Sequence, residues 1–324
     1  MSDLERRYQR LVRAFYPPGY RDERGTEIVG TYLALSAPGR QWPSIADAAD
    51  LAGGGLRQRL RAVGAGGIGP GLQLAAILAL TAATTLAGGF LLLELNPWAA
   101  AWFGPSPVAT PSVSHGVWVW AAWLLAAGVH VAAPGRWTRR VIGLTLVLTV
   151  ALPLADVLYP YRPPLFVLVA QACLGLVALG VPAGLSLRVR LLPLAGAVAA
   201  LPVAVALARG GNTMTPDAYH GYYGWPAGQV LPAAGVLLLL AALVVTMVLA
   251  ARDDLRGVWA LLVLLGPIGM MWLHPLAEEL AVVMYGGGPN VDIRTLVTAA
   301  SIVTATAVTV TMLALTIQRR VRPT

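Results

Sequence analysis

Lysine is absent. All 23 basic residues of the 324-residue chain are arginine. With so much alanine, glycine and leucine, this reads as GC-rich coding bias and is given no functional weight. Cysteine occurs once, as Cys173 within an apolar stretch, which removes support for disulfides and for thiolate metal sites. Charge is scarce at 12% of residues, whereas an ordinary soluble domain carries about 25%. The common catalytic signatures are missing. There is no H-E-x-x-H and no G-x-S-x-G, and no G-x-x-x-x-G-K-[ST] by which the chain would energise transport with ATP on its own. The N-terminal segment is charged and carries no signal-peptide apolar region, so it is expected to stay in the cytoplasm. No internal repeat is evident, and no pair of broken helices recurs in two halves, which argues against an inverted-repeat transporter.

What is present is apolar. Hydrophobic residues make up 57% of the chain, with a mean hydropathy of +0.69. The charges are unevenly spread: residues 1–63 hold 17 of 38. Leu72–Leu95 has no charge before Glu94 and is long enough to cross a hydrocarbon core about 30 Å thick. Eight candidate spans follow from the same criterion, at about 72–94, 115–133, 141–159, 165–186, 191–208, 230–251, 257–275 and 295–317. The fifth carries Pro193 and Pro202, which leaves seven spans or a re-entrant piece open. With the N-terminus inside, 20 arginines fall on the inner side and three, Arg162, Arg209 and Arg294, on the outer. That asymmetry supports both termini inside. The expected fold class is an all-α polytopic membrane protein of about eight transmembrane helices with a small cytoplasmic three-helix domain. The expected divisions are 1–63 for that domain, 64–71 for a Gly-rich linker, 72–318 for the bundle and 319–324 for a cytoplasmic tail. The cell membrane is the expected location.

In the head, Ser2 and Glu5 have the spacing of a capping box. Leu4, Tyr8, Leu11, Val12 and Phe15 recur at helical spacing, with Arg6, Arg7, Arg10 and Arg13 mostly on other faces. Pro17 and Pro18 end that helix. A second helix is expected from near Tyr20, presenting Ile28, Val29, Tyr32 and Leu33, and a third from Ser44 and Asp47 to about Arg61. The strings LERRYQRLVRAFYPPGYRDERGTEIV and PSIADAADLAGGGLRQRLR resemble the small helical domain at the start of many bacterial membrane proteins, called the HAAS or permease-prefix domain. The resemblance rests on the arginine-rich first helix Arg6–Phe15, the Tyr16–Pro18 break, Arg21–Glu27 and Leu56–Arg61. It covers roughly 60 residues. It implies a signalling or regulatory adaptor, in a family often encoded beside PadR-type transcription regulators, and it implies no catalytic residue.

Ionisable and amide side chains at membrane depth are costly in lipid, so each is a candidate ligand or coupling position. These are Asp156, Gln171, His130, His274, Glu278 and Glu279, with Glu94 ending the first span. His274 and Glu278 share a helical face. Joined by His115, His220 or Asp217, they would suit a divalent cation. No metal or cofactor is assigned. The paired glutamates lack the following arginine of intramembrane CAAX-type proteases, and no enzyme activity is expected. The outer aromatics Trp98, Trp102, Tyr219, Tyr222, Tyr223, Trp225 and Tyr285 read as an interfacial belt or, over 220–228, as a lid. In the first span Ala75, Ala79, Ala83 and Ala87 repeat every four residues, beside Thr81, Thr85 and Gly89. Such rows let helices pack closely. The leading function is a membrane-embedded sensor or regulatory adaptor, with a permease subunit lacking its own ATPase as the alternative. The expected partners are the bilayer, a cytoplasmic protein (a regulator or an ATPase subunit) engaged by residues 1–63, and a second copy of the chain. Nucleic acid is not among them, because the arginines cluster beside apolar spans.

Overall fold

The computed structural model describes residues 2–37, 40–62, 68–95, 114–155, 162–209, 224–285 and 291–321. These form twelve helices and no strand. The chain divides into two compact units, Met1–Gly69 with Met312–Thr324, and Pro70–Thr311.

The first unit contains α1 (Asp3–Phe15), α2 (Pro18–Leu35) and α3 (Ile45–Ala62). Its local starts are set by side chains. Ser2 Oγ accepts from Glu5 N at 3.1 Å and Ser2 N donates to the Glu5 carboxylate at 3.3 Å. This satisfies two amide donors that no helical carbonyl reaches. Ser44 and Asp47 repeat the arrangement at α3, both bonds at 3.0 Å. The second helix begins at Pro18, earlier than the acidic residues alone suggest, because proline at the first helical position loses no bond. Leu4, Tyr8, Val12, Tyr16, Val29 and Leu51 make a small core. Gly55 lets α3 close on the end of α1: a Cβ there would lie 2.6 Å from Phe15 Cβ. The side chains of residues 56, 57 and 59–62 lie outside those described.

The second unit is a helical bundle. Its elements are α4 (Ile68–Glu94) from Pro70 on, α5 (Gly116–Ala132), α6 (Arg136–Ala155), α7 (Leu165–Ala178), α8 (Leu187–Arg209), α9 (Gly224–Ala250), α10 (Arg256–Met271), α11 (Leu273–Tyr285) and α12 (Ile293–Val321) as far as Thr311. The helix α4 takes in residues 68–71 of the expected linker, because Pro70 in a first turn has no amide bond to lose. The helix α8 is continuous through Pro193 and Pro202. By length and composition α4, α6, α8, α9 and α12 can cross a membrane. The pair α10 and α11, bent by 57°, makes a sixth span if taken together. The bend falls at Trp272, three residues before Pro275, whose missing N–H leaves Met271 without its helical donor.

The other two expected spans are shorter helices. Of these, α5 has 17 residues and α7 only 14, so α7 rises about 21 Å. The reason lies in its surroundings. Eight of its residues are buried, and so are Pro163, Pro164 and Val181 at its ends. Non-helical backbone at membrane depth is tolerated where protein encloses it. The chain is a polytopic α-helical membrane protein.

Candidate functional site

The bundle is organised on α4. In its best 18-residue window 56% of residues are buried, against 33% in α6, 17% in α8 and α9 and none in α12. Ala75, Ala79, Ala83 and Ala87 are all fully buried. The second row, Thr81, Thr85 and Gly89, lies toward α8: a Cβ on Gly196 would meet Thr85 and Thr81, and one on Gly89 would lie 3.8 Å from Ala200. Gly88 is where a neighbouring backbone comes nearest to α4. A Cβ there would fall 2.9 Å from the Ala197 carbonyl oxygen, a backbone atom that cannot swing away.

Polar contacts tie α4 to its neighbours as well. Gln171 of α7 donates through Nε2 to the Ala83 carbonyl at 3.0 Å. The Thr84 hydroxyl lies 2.8 Å from the Pro193 carbonyl of α8, closer than to Leu80 or Thr81 of its own helix. Phe90 packs on Trp120 of α5 with centroids 5.3 Å apart. At the N-terminal end Gly71 abuts Trp259 and the Arg256 carbonyl of α10.

Glu94 closes α4 at the other end and is fully buried. Its carboxylate accepts from Ser114 N at 3.2 Å, Ser114 Oγ at 2.6 Å and Trp120 Nε1 at 3.4 Å. Gly116 leaves room for it: a Cβ there would collide with the carboxylate. Three donors make a buried carboxylate tenable. In the sequence Glu94 reads only as the end of a span. The available signal was its standing as the single charge in that apolar run, and nothing in the sequence pointed to Ser114 as its partner.

Of the candidate polar residues of other helices, Gln171 alone among the described ones is brought to α4. Its Oε1 is buried with no hydrogen-bond partner among the described residues, as are both ring nitrogens of His130 on α5. His274 Nδ1 lies 3.5 Å from the Glu278 carboxylate, and its ring packs on Phe166 of α7 at 4.5 Å. Glu279 is exposed. Among the described residues no three His, Cys, Asp or Glu side chains gather as a metal site would require. Asp156, His220 and Asp217 lie outside the described residues, as do Trp98, Trp102, Tyr219, Tyr222 and Tyr223. His115 stands exposed before α5.

Two apolar cavities flank the α4–α8 contact. One of about 550 Å³ lies between α4, α8 and α9, lined by Leu86, Phe90, Leu93, Ala200, Val203 and Leu237 among others. One of about 430 Å³ is lined by Leu91, Leu95, Leu124, Leu194 and Leu201 together with small residues. Neither has a charged residue in its described lining, so their chemistry suits an acyl chain and not an ionic solute.

The head has its own polar centre. The Tyr8 hydroxyl donates to Asp47 at 2.7 Å and lies 3.3 Å from Ser36 Oγ. The bonds from Tyr8 and then Ser44 hold the Asp47 carboxyl below its ordinary range. Burial, chiefly, pushes the Tyr8 phenol up. Burial and the bond to Asp50 raise Tyr32.

No protein-family model, no curated protein and no solved structure matches the chain. The class is therefore defined by the fold: a multi-pass helical membrane protein with a small N-terminal helical unit.

Proposed function

We propose that this chain is a sensor or regulatory adaptor of the cell membrane, with both termini in the cytoplasm. A ligand, lipid or partner shifts the helical bundle, and α4 passes the shift to the head. One observation carries the reading. The most buried span of the bundle is also the helix that directly follows the head in the chain. A helix held on several sides by close backbone contacts moves with its neighbours, whereas a lipid-facing tether would not. The arginine asymmetry supports the orientation, and the resemblance of residues 1–63 to permease-prefix domains supports a signalling head.

The second reading is a permease subunit without its own ATPase. The observation that favours it is the buried, unpartnered polar atoms of His130 and Gln171, since intramembrane polar groups often mark a solute path. The apolar lining of both cavities favours the adaptor instead.

Hydrogen exchange on the full chain in nanodiscs tests the coupling. Ala79→Leu in α4, or the milder Thr84→Val, is expected to alter amide protection in α1–α3 as well as in the bundle. A loosened bundle beside an unchanged head would sink the proposal. Deleting residues 1–63 is expected to leave membrane insertion intact and to abolish regulatory output.

A further inference from the structure

Three large apolar side chains of the head point into solvent: Leu35 is 78% exposed, Trp42 66% and Ile45 91%. They cluster at one end of the three-helix unit. Leu35 is the last residue of α2 and Ile45 the first of α3. The Tyr8 hydroxyl reaches both Ser36 and Asp47, which draws those two helix ends together. Trp42 is held in place. Pro43 restricts its backbone to extended conformations, and the Arg7 guanidinium lies 3.1 Å over its ring while bonding the Gln41 carbonyl at 3.1 Å. One face of the indole is thus covered by a cation and the other is left open.

Arg7 also begins a basic face. Arg6, Arg7, Arg10 and Arg13 line one side of α1 along a cleft of about 540 Å³. Among the described residues, Arg6 alone of these has an acidic partner, Asp3, in an ion pair. An apolar edge that joins an arginine face matches the two-part chemistry of an anionic bilayer surface. Tryptophan and aliphatic side chains favour the boundary between headgroups and acyl chains, and arginines favour the phosphates. Residues 63–67 alone separate α3 from α4 in the chain, and Ile45 stands at the other end of α3, about 26 Å along the helix, so an α3 lying along the bilayer surface brings the edge to it.

We infer that the edge formed by Leu35, Trp42 and Ile45, with the arginine face of α1, is a membrane-docking surface selective for anionic phospholipid. It rests on the proposed placement of the head on the cytoplasmic side, where anionic lipid and juxtamembrane arginines meet. Docking and release of this edge is then one means by which the head reads its membrane.

The test uses the full chain with Cys173→Ala and a single spin label at Ile45→Cys, in nanodiscs of phosphatidylcholine alone or mixed with phosphatidylglycerol. Depth is read from oxygen against nickel-chelate accessibility. The Ile45 label is expected to gain oxygen and lose nickel accessibility only with phosphatidylglycerol, while a label at Glu23→Cys stays aqueous in both. Arg10→Glu with Arg13→Glu is expected to lower the ratio of docked to aqueous label on the order of tenfold, and high salt should do likewise. A nickel-accessible Ile45 label in both discs overturns the inference. So does a label shielded from both reagents regardless of lipid, which would mean a protein contact, either a second copy or a partner helix. A separate label at Ser2→Cys, probed with an impermeant thiol reagent in intact cells, checks the orientation independently. Reaction from outside refutes the cytoplasmic placement without touching the nanodisc result.

Discussion

The helices α4 and α12 are both apolar and long enough to span a membrane, and both are rich in alanine and threonine, yet more than half of one best window is buried and none of the other. The difference lies in where the small and polar groups point. In α12 the hydroxyls of Thr298, Ser301, Thr304 and Thr311 each bond the carbonyl four residues back, all at 2.8 Å. A hydroxyl satisfied within its own helix can face lipid at little cost. In α4, Thr84 reaches across to Pro193, and Gly88 admits the α8 backbone. Small-residue content therefore does not identify a packing helix. The combination of a row with a gap in the facing helix does.

Four substitutions at the contacts of α4, three of them paired with a control on α12, test this contrast. The largest effect is expected at Gly88→Val, because the Ala197 backbone must retreat. A loss of about 3 kcal/mol, at the upper end for overpacking, should appear as a lowered unfolding temperature in detergent, while Ala305→Val on α12 stays within about 0.5 kcal/mol. An equal loss at both positions would end the distinction between the helices. Next comes Ala83→Leu, expected to cost about 2 kcal/mol and to disturb the Gln171 bond, against a near-neutral Ala305→Leu in the same assay. Thr84→Val should cost about 0.6 kcal/mol, with a ceiling of about 1.7, and Thr304→Val less than the assay resolves. The smallest is Gln171→Leu. It removes one interhelical bond but also the orphaned Oε1, so the net change should lie within about 0.5 kcal/mol of zero. A loss of several kilocalories there would mean that Gln171 does more than pin α7 to α4.

Much of this was legible in the sequence, for local reasons. Ser2 with Glu5 and Ser44 with Asp47 mark helix starts through contacts three residues apart. The apolar segments announce themselves by length, and each of the eight expected spans overlaps a helix, although five or six among the described residues are long and apolar enough to cross a membrane. The buried alanine row of α4 is visible as a four-residue period. What stayed hidden depends on partners distant in the chain. The shortness of α7 follows from its enclosure by other helices, since Leu165–Ala178 alone looks like the beginning of an ordinary span. The cage around Glu94 needs Ser114 and Trp120, and the meeting of Thr84 with Pro193 joins residues 109 positions apart. His274 and Glu278 pair as their spacing suggests, yet nothing in that spacing tells of Phe166 beneath the imidazole.

The unequal helix lengths carry one more consequence. The spanning part of α9, Ala227–Ala250, rises about 36 Å when straight, against about 21 Å for α7. The hydrocarbon core of a typical bilayer lies between them at about 30 Å. Hydrophobic mismatch costs fractions of a kilocalorie per ångström and is relieved by tilting long helices or thinning the bilayer. A bundle that encloses one short helix among longer ones is stretched differently by short-chain and long-chain lipids. Acyl-chain length thus becomes a thermodynamic variable of this bundle, acting on its tilt and packing before any ligand arrives.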